Sequence, residues 1–162
     1  MSIDQIIAIM DKLNMMHRSL LKLAFQKTEV LKISDIEGLN TAMKNEQMHV
    51  AAISKLEEQR QQAVVKFFEE RGIQSAEATV SELLIHANEQ ERVNLSAKRD
   101  ELFQTIEKLK EQNDLNQQLL FQSLQFVNLT LDLLQPQQEQ VNYGATAGSR
   151  KVIKKGQFDS RA

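Results

Sequence analysis

Leu115-Asn-Gln-Gln-Leu-Leu-Phe-Gln-Ser-Leu-Gln-Phe-Val-Asn-Leu-Thr-Leu131 carries no charge, no Gly and no Pro, in a chain that is 26% charged. It closes a long helical segment just before the only proline, Pro136. On a helix at roughly 100° per residue, Leu120, Val127 and Leu134 form the centre of an apolar arc. Leu124 and Leu131 lie to one side of it. Leu119, Phe126, Leu115, Leu133 and Leu129 lie to the other. The arc spans roughly 220°, far more than packing against one neighbour requires. Upstream on the same segment, Leu95, Leu102, Ile106 and Leu109 span only roughly 60°. An apolar surface that widens toward one end of a helix implies a further partner docking there. Gln and Asn fill most of the remainder, which makes that side neutral and adaptable.

Working outward, 162 residues make one domain or one elongated bundle. Five Gly and one Pro leave little material for turns, which argues against a sandwich or barrel. Trp is absent and Tyr143 is the single Tyr, a poor supply for stacking nucleic-acid bases. A net charge of −2 provides no global attraction to nucleic acid. The absence of cysteine excludes disulfides and thiolate metal sites, and fits a reducing cytoplasm. The N-terminus, Met-Ser-Ile-Asp-Gln-Ile-Ile, has no basic stretch followed by an apolar run, so no signal peptide is expected. Residues 115–131 are too short and too rich in Gln and Asn for membrane insertion.

Threes and fours dominate the rest of the chain. Ile3, Ile6, Ile7, Met10, Leu13, Leu20, Leu21, Ala24, Phe25 and Leu31 predict a first helix from about residue 2 or 3 to 33. Ser34-Asp-Ile-Glu37 has the spacing of a capping box, with Ser34 as the cap. A second helix is expected over about 36–71, with a seam of Leu39, Met43, Val50, Ile53, Leu56, Val64 and Phe67. Gly72 supplies its left-handed stop. Thr79 or Ser81 caps a brief helix through Leu83 and Ile85, and the last helix runs from about Gln90 to Leu134. Helices of this size are roughly 45 to 65 Å long, too long for a compact globule. The fold class is therefore all-α: an elongated antiparallel bundle or coiled coil of three long helices and one short one. Residues 1–134 form the bundle. Residues 135–162, Gln-rich and then basic, form a flexible tail expected to be disordered.

Reactive constellations are scarce. Glu46-Gln-Met-His49 has the Glu-x-x-His spacing of di-iron bundles, but His17 and His86 lack the matching Glu three residues earlier, so no metal site is expected. His17 falls on the apolar stripe of the first helix and is expected to be partly buried and hydrogen-bonded. No phosphate loop, nucleophile elbow or dinucleotide glycine pattern is present. The tail run Arg150 to Lys155 is interrupted by Val152 and Ile153 and reads as solvated rather than as a nucleic-acid patch. Polar residues do interrupt the seams: Arg60 in the second helix, and Arg99, Asn113 and Asn116 in the last. Such positions usually set register at some cost in stability.

Taken together, the chain resembles the FlgN family of flagellar export chaperones. The resemblance is carried by Leu31-Lys-Ile-Ser-Asp-Ile-Glu-Gly-Leu39, by Ile53-Ser-Lys-Leu-Glu-Glu-Gln-Arg60, by Leu115-Asn-Gln-Gln-Leu-Leu120 followed by Leu131-Asp-Leu-Leu134, and by a tail with Tyr143-Gly144 that closes on Phe158-Asp159. The resemblance implies a non-enzymatic cytoplasmic protein without nucleotide, metal or other cofactor. It implies that hook–filament junction (hook-associated) proteins are held by their C-terminal helical region and delivered to the export gate. The client would lie on Leu115, Leu119, Leu120, Leu124, Phe126, Val127, Leu129, Leu131, Leu133 and Leu134, in helix-in-groove fashion. Tyr143 matches the aromatic position by which family members contact the gate. The competing expectation is a structural or adaptor coiled coil that self-associates through the same surface, which the unliganded chaperone would also permit as a homo-oligomer.

Overall fold

The computed structural model describes residues 2–73 and 79–134. Four helices follow in order: α1 (Ile3–Lys32), α2 (Ile36–Glu69), α3 (Val80–His86) and α4 (Glu89–Leu134). No strand occurs among the described residues. The boundaries follow local chemistry. Ser2 caps α1 in a capping box with Gln5. Thr79 Oγ1 accepts the Glu82 N–H at 3.2 Å to open α3. Asn88 and Glu91 exchange side-chain-to-backbone hydrogen bonds at 2.8 and 2.9 Å at the start of α4. Gly72 takes φ of 65° just past the end of α2, as expected of a helix-stopping glycine.

The α1–α2 turn differs from the sequence reading. Asp35, not Ser34, is the N-cap of α2, and its Oδ1 accepts the Gly38 N–H at 2.9 Å. Ser34 adopts φ of 56° in the turn and leaves the cap one residue later. Gly38 has a steric reason to be there: a Cβ would sit 2.3 Å from Asp35 Oδ2 and 2.9 Å from Val30 Cγ1.

Hydrogen bonds and ion pairs set the directions of the rods. Ser19 meets His49 and Lys27 meets Glu46, so α2 runs back along α1. Asp11 meets Lys98, Arg18 meets Glu101 and Thr28 meets Asn116, so α4 runs parallel to α1. α1 is thus the central rod, packed on α2 along one side and α4 along the other.

Apolar burial is concentrated at the end opposite the α1–α2 turn. There Ile3, Ile6 and Met10 of α1 meet Val64, Phe67 and Phe68 of α2, Leu83 of α3 and Leu95 of α4. A second, smaller cluster joins Leu20, Leu23 and Ala42, flanked by Ile53 and Leu109. The upper half of α2 is shallow: Ala42 is its buried seam residue, while Met43 and Val50 are 45% and 53% exposed rather than in the seam as expected. Short side chains at the contact let the helix approach α1 and push the longer neighbours outward.

Arg60 does interrupt the seam, and its guanidinium is held by Glu57 at 2.6 and 2.8 Å. Arg99 does not: it is largely exposed and pairs with neighbouring Asp100. The Arg60 hydrogen bond is the chief reason that the Glu57 carboxyl titrates below its ordinary value of 4.5. A lowered folded-state pKa means a contribution present above the unfolded value and lost as pH falls through the folded one. Glu57→Gln is therefore expected to melt below the parent at neutral pH. The difference should shrink as pH drops below 4.5. Thermal melts of both proteins across that range check it, and a gap independent of pH would remove Glu57 from the acid response.

Candidate functional site

The α1–α4 register decides what happens at the far end of the rod. Asn116, 3% exposed, donates from Nδ2 to the Ala24 carbonyl at 2.9 Å and accepts the Thr28 hydroxyl at 2.6 Å. Two parallel helices rise equally per residue, so Lys32, four residues past Thr28, stands level with about residue 120. There α1 ends and the chain turns into α2. Among the described residues, the last 14 or so of α4 continue alone for about 21 Å. Their side-chain hydrogen bonds stay within the helix, from Ser123 to the Leu119 carbonyl and from Thr130 to the Phe126 carbonyl.

The expected arc lies on this projecting end. Leu124, Phe126, Val127, Leu129, Leu131, Leu133 and Leu134 are all more than half exposed, with Leu133 at 78%. Leu115 and Leu120, nearer the bundle, are 43% and 41% exposed, and Leu119 is half-buried. An exposed run of this size is far from the scattered single apolar residues of an ordinary surface.

Two further aromatic residues belong to the surface and escaped the sequence reading. Phe121, 61% exposed, lies beyond the Leu124 flank and extends the apolar circumference further round the helix. Phe25 was expected in the α1 core, yet it is 52% exposed. With Thr28, Lys32, Gln112 and Leu115 it lines a shallow depression of about 430 Å³ at the foot of the projecting helix. Leu115, Leu119, Phe126 and Leu133 fall within about 40° on α4, so this flank runs down into that depression. For Phe121 the signal was available as an aromatic inside the uncharged run. For Phe25 none was, because its spacing matches the buried stripe.

Glu46, His49 and His17 all have partners within the bundle. Glu46 pairs with Lys27 at 2.7 Å, and His49 bonds Ser19 at 2.8 Å and the Asn45 carbonyl at 2.8 Å. His17 is half-buried, with Nδ1 2.8 Å from the Leu13 carbonyl. Among the described residues no group of three or more His, Cys, Asp or Glu could hold a metal ion. No helix among them is long and apolar enough to cross a membrane. Tyr143 and the whole 135–162 tail lie outside the described residues.

Fold and surface together define a slender helical bundle that ends in one helix with a broad, exposed apolar face. The FlgN protein family matches this chain over residues 1–151. A protein of Bacillus subtilis (strain 168), named Uncharacterized protein YvyG, is 30% identical over 164 residues, spanning 100% of this chain and 100% of its own length. No solved structure matches the chain. The chain belongs to the FlgN family, and with that comes the family's general role as a flagellar export chaperone, non-enzymatic in kind.

Proposed function

We propose that this protein is a cytoplasmic chaperone that holds the C-terminal helical region of hook–filament junction proteins on residues 115–134 and delivers them to the flagellar export gate. The observation that carries the proposal is the projecting end of α4. Together with Leu115, Leu119 and Leu120 at its foot, its neutral apolar arc has the length of about five helical turns, the dimensions of an amphipathic client helix. Covering the client's assembly surface in this way prevents its premature packing against other subunits. Phe25 and Phe121 join the expected residues as client contacts, since they border the same surface.

Cargo and gate require separable contacts, and Tyr143 is assigned to the gate. An aromatic ring on a polar arm contributes most of a small interface's buried area at low ordering cost. Tyr143→Ala is expected to leave client binding intact and to reduce docking of the loaded chaperone to the gate's cytoplasmic domain about tenfold or more, in line with one interface aromatic. Tyr143→Phe should lose less, because the ring carries the burial. Paired pull-downs, one with a junction-protein C-terminal fragment and one with the gate domain, check both contacts. Failure of the parent protein to retain the fragment would sink the chaperone assignment. Gate docking unaffected by Tyr143→Ala would sink only the role of the tyrosine.

A further inference from the structure

Two asparagines clamp α1 and α4 together in the same manner from opposite sides. Asn14 of α1, fully buried, donates from Nδ2 to the Lys98 carbonyl of α4 at 3.0 Å. Asn116 of α4 donates from Nδ2 to the Ala24 carbonyl of α1 at 2.9 Å. Each amide reaches across the interface to a main-chain oxygen whose height along the partner helix is fixed. Thr28, 5% exposed, completes the second clamp through Asn116 Oδ1 and accepts from Gln112 Nε2.

The positions of these residues in the pattern are informative. Leu95, Leu102, Leu109 and Asn116 follow one another at intervals of seven on α4. Ile7, Asn14, Leu21 and Thr28 do the same on α1. A seam of leucines repeating every seven residues accepts displacement by a turn or a heptad at little cost, because equivalent side chains then meet again. The Asn116 contact does not: after a one-heptad slip toward the α3 end Asn116 would face His17 and Leu21 in place of Ala24 and Thr28, losing the Thr28 hydroxyl and meeting bulkier side chains. We propose that Asn14 and Asn116, with Thr28, are positioning residues that hold α4 in one register on α1 and thereby set the length of α4 that projects beyond the bundle. The functional consequence rests on the client reading: a one-heptad shift toward the α3 end would withdraw about half of the projecting arc. The register itself stands apart from that reading.

The chain has no cysteine, so spin labels can be placed at will. Lys12→Cys on α1 and Gln125→Cys on α4 are both exposed positions away from the clamps. In the otherwise parental protein, pulsed electron resonance should give one narrow distance between them. Adding Asn14→Leu and Asn116→Leu should keep the helicity and the thermal transition, since leucine suits a seam. It should also bring in a second distance, displaced by about 5 to 10 Å, one turn to one heptad, in at least a tenth of the molecules. A single distance at the parental value would overturn the proposal, because a merely structural pair of asparagines alters stability without altering register. Should the leucine variant fail to fold, Asn14→Ser with Asn116→Ser removes the cross-helix reach without adding volume. A single parental distance in that variant overturns the proposal equally. The measurement needs no client, so its outcome is independent of whether the chaperone assignment holds.

Discussion

Replacing Phe126, Leu129 and Leu133 together with glutamine is expected to abolish client binding while leaving the thermal transition of the bundle unchanged. The three side chains are 70%, 60% and 78% exposed, so folding buries little of them. Burying such a side chain fully contributes about 1.5 to 3 kcal/mol. Partial burial of three against a client helix therefore comes to roughly 4 kcal/mol, a thousandfold or so in affinity. Glutamine is nearly as good a helix former as leucine, and it matches the Gln and Asn that already stand among residues 115–131. Calorimetry with a junction-protein C-terminal fragment reads the affinity, and circular dichroism reads the fold. An unchanged dissociation constant would move the client to another face. A collapse of the fold would show that these residues hold the bundle. If the parent chain self-associates and the variant does not, with no client bound by either, the same arc serves a structural coiled coil.

Phe67→Ala should have the largest effect on stability. Phe67 is 1% exposed, in edge-to-face contact with Phe68 at 5.6 Å between ring centres, and the Arg71 guanidinium lies 3.6 Å above its ring. It sits in the one cluster that joins all four helices. Truncating a buried Phe costs about 3 to 5 kcal/mol. Against a typical total of about 5 to 15 kcal/mol, that is enough to leave the variant marginal. Urea titration should show a lower midpoint with an unchanged slope. Met43→Ala, at a seam position that the structure leaves 45% exposed, should cost well under about 1 kcal/mol. Equal losses from the two would mean that stability is spread evenly along the rod rather than gathered at the α3 end.

The difference between those two variants marks where sequence patterning stops being informative. Met43 and Phe67 are equally plausible seam residues by spacing. Ala42, one residue from Met43, is the one that touches α1, and only the approach of two backbones decides which neighbour goes inward. Phe25 and Leu31 likewise share the periodicity of α1. One is 52% exposed and the other 5% because α2 and α4 cover only part of that stripe. At the α1–α2 turn, Ser34 and Asp35 are both competent caps. The clash that a Cβ on residue 38 would make with Asp35 shows how tightly the chosen turn is wound.

The sequence by itself determined that the chain is helical, the order of the described helices, their ends to within a residue or two, and the apolar character of 115–134. These are local properties: capping chemistry, the left-handed freedom of Gly72, and a period of 3.6 residues act within a few residues of one another. Only the tertiary structure decided that α4 lies parallel to α1, that Asn14 and Thr28 are buried, which partners the seam residue Asn116 meets, and that α4 outruns the other described helices. Each of those depends on the register between segments about 80 to 90 residues apart, as the Asn14–Lys98 and Thr28–Asn116 hydrogen bonds record. A heptad seam of leucines is degenerate in that register. In the register proposed above it is lifted where Asn116 meets Ala24 and Thr28, neighbours that the sequence of one helix alone does not name.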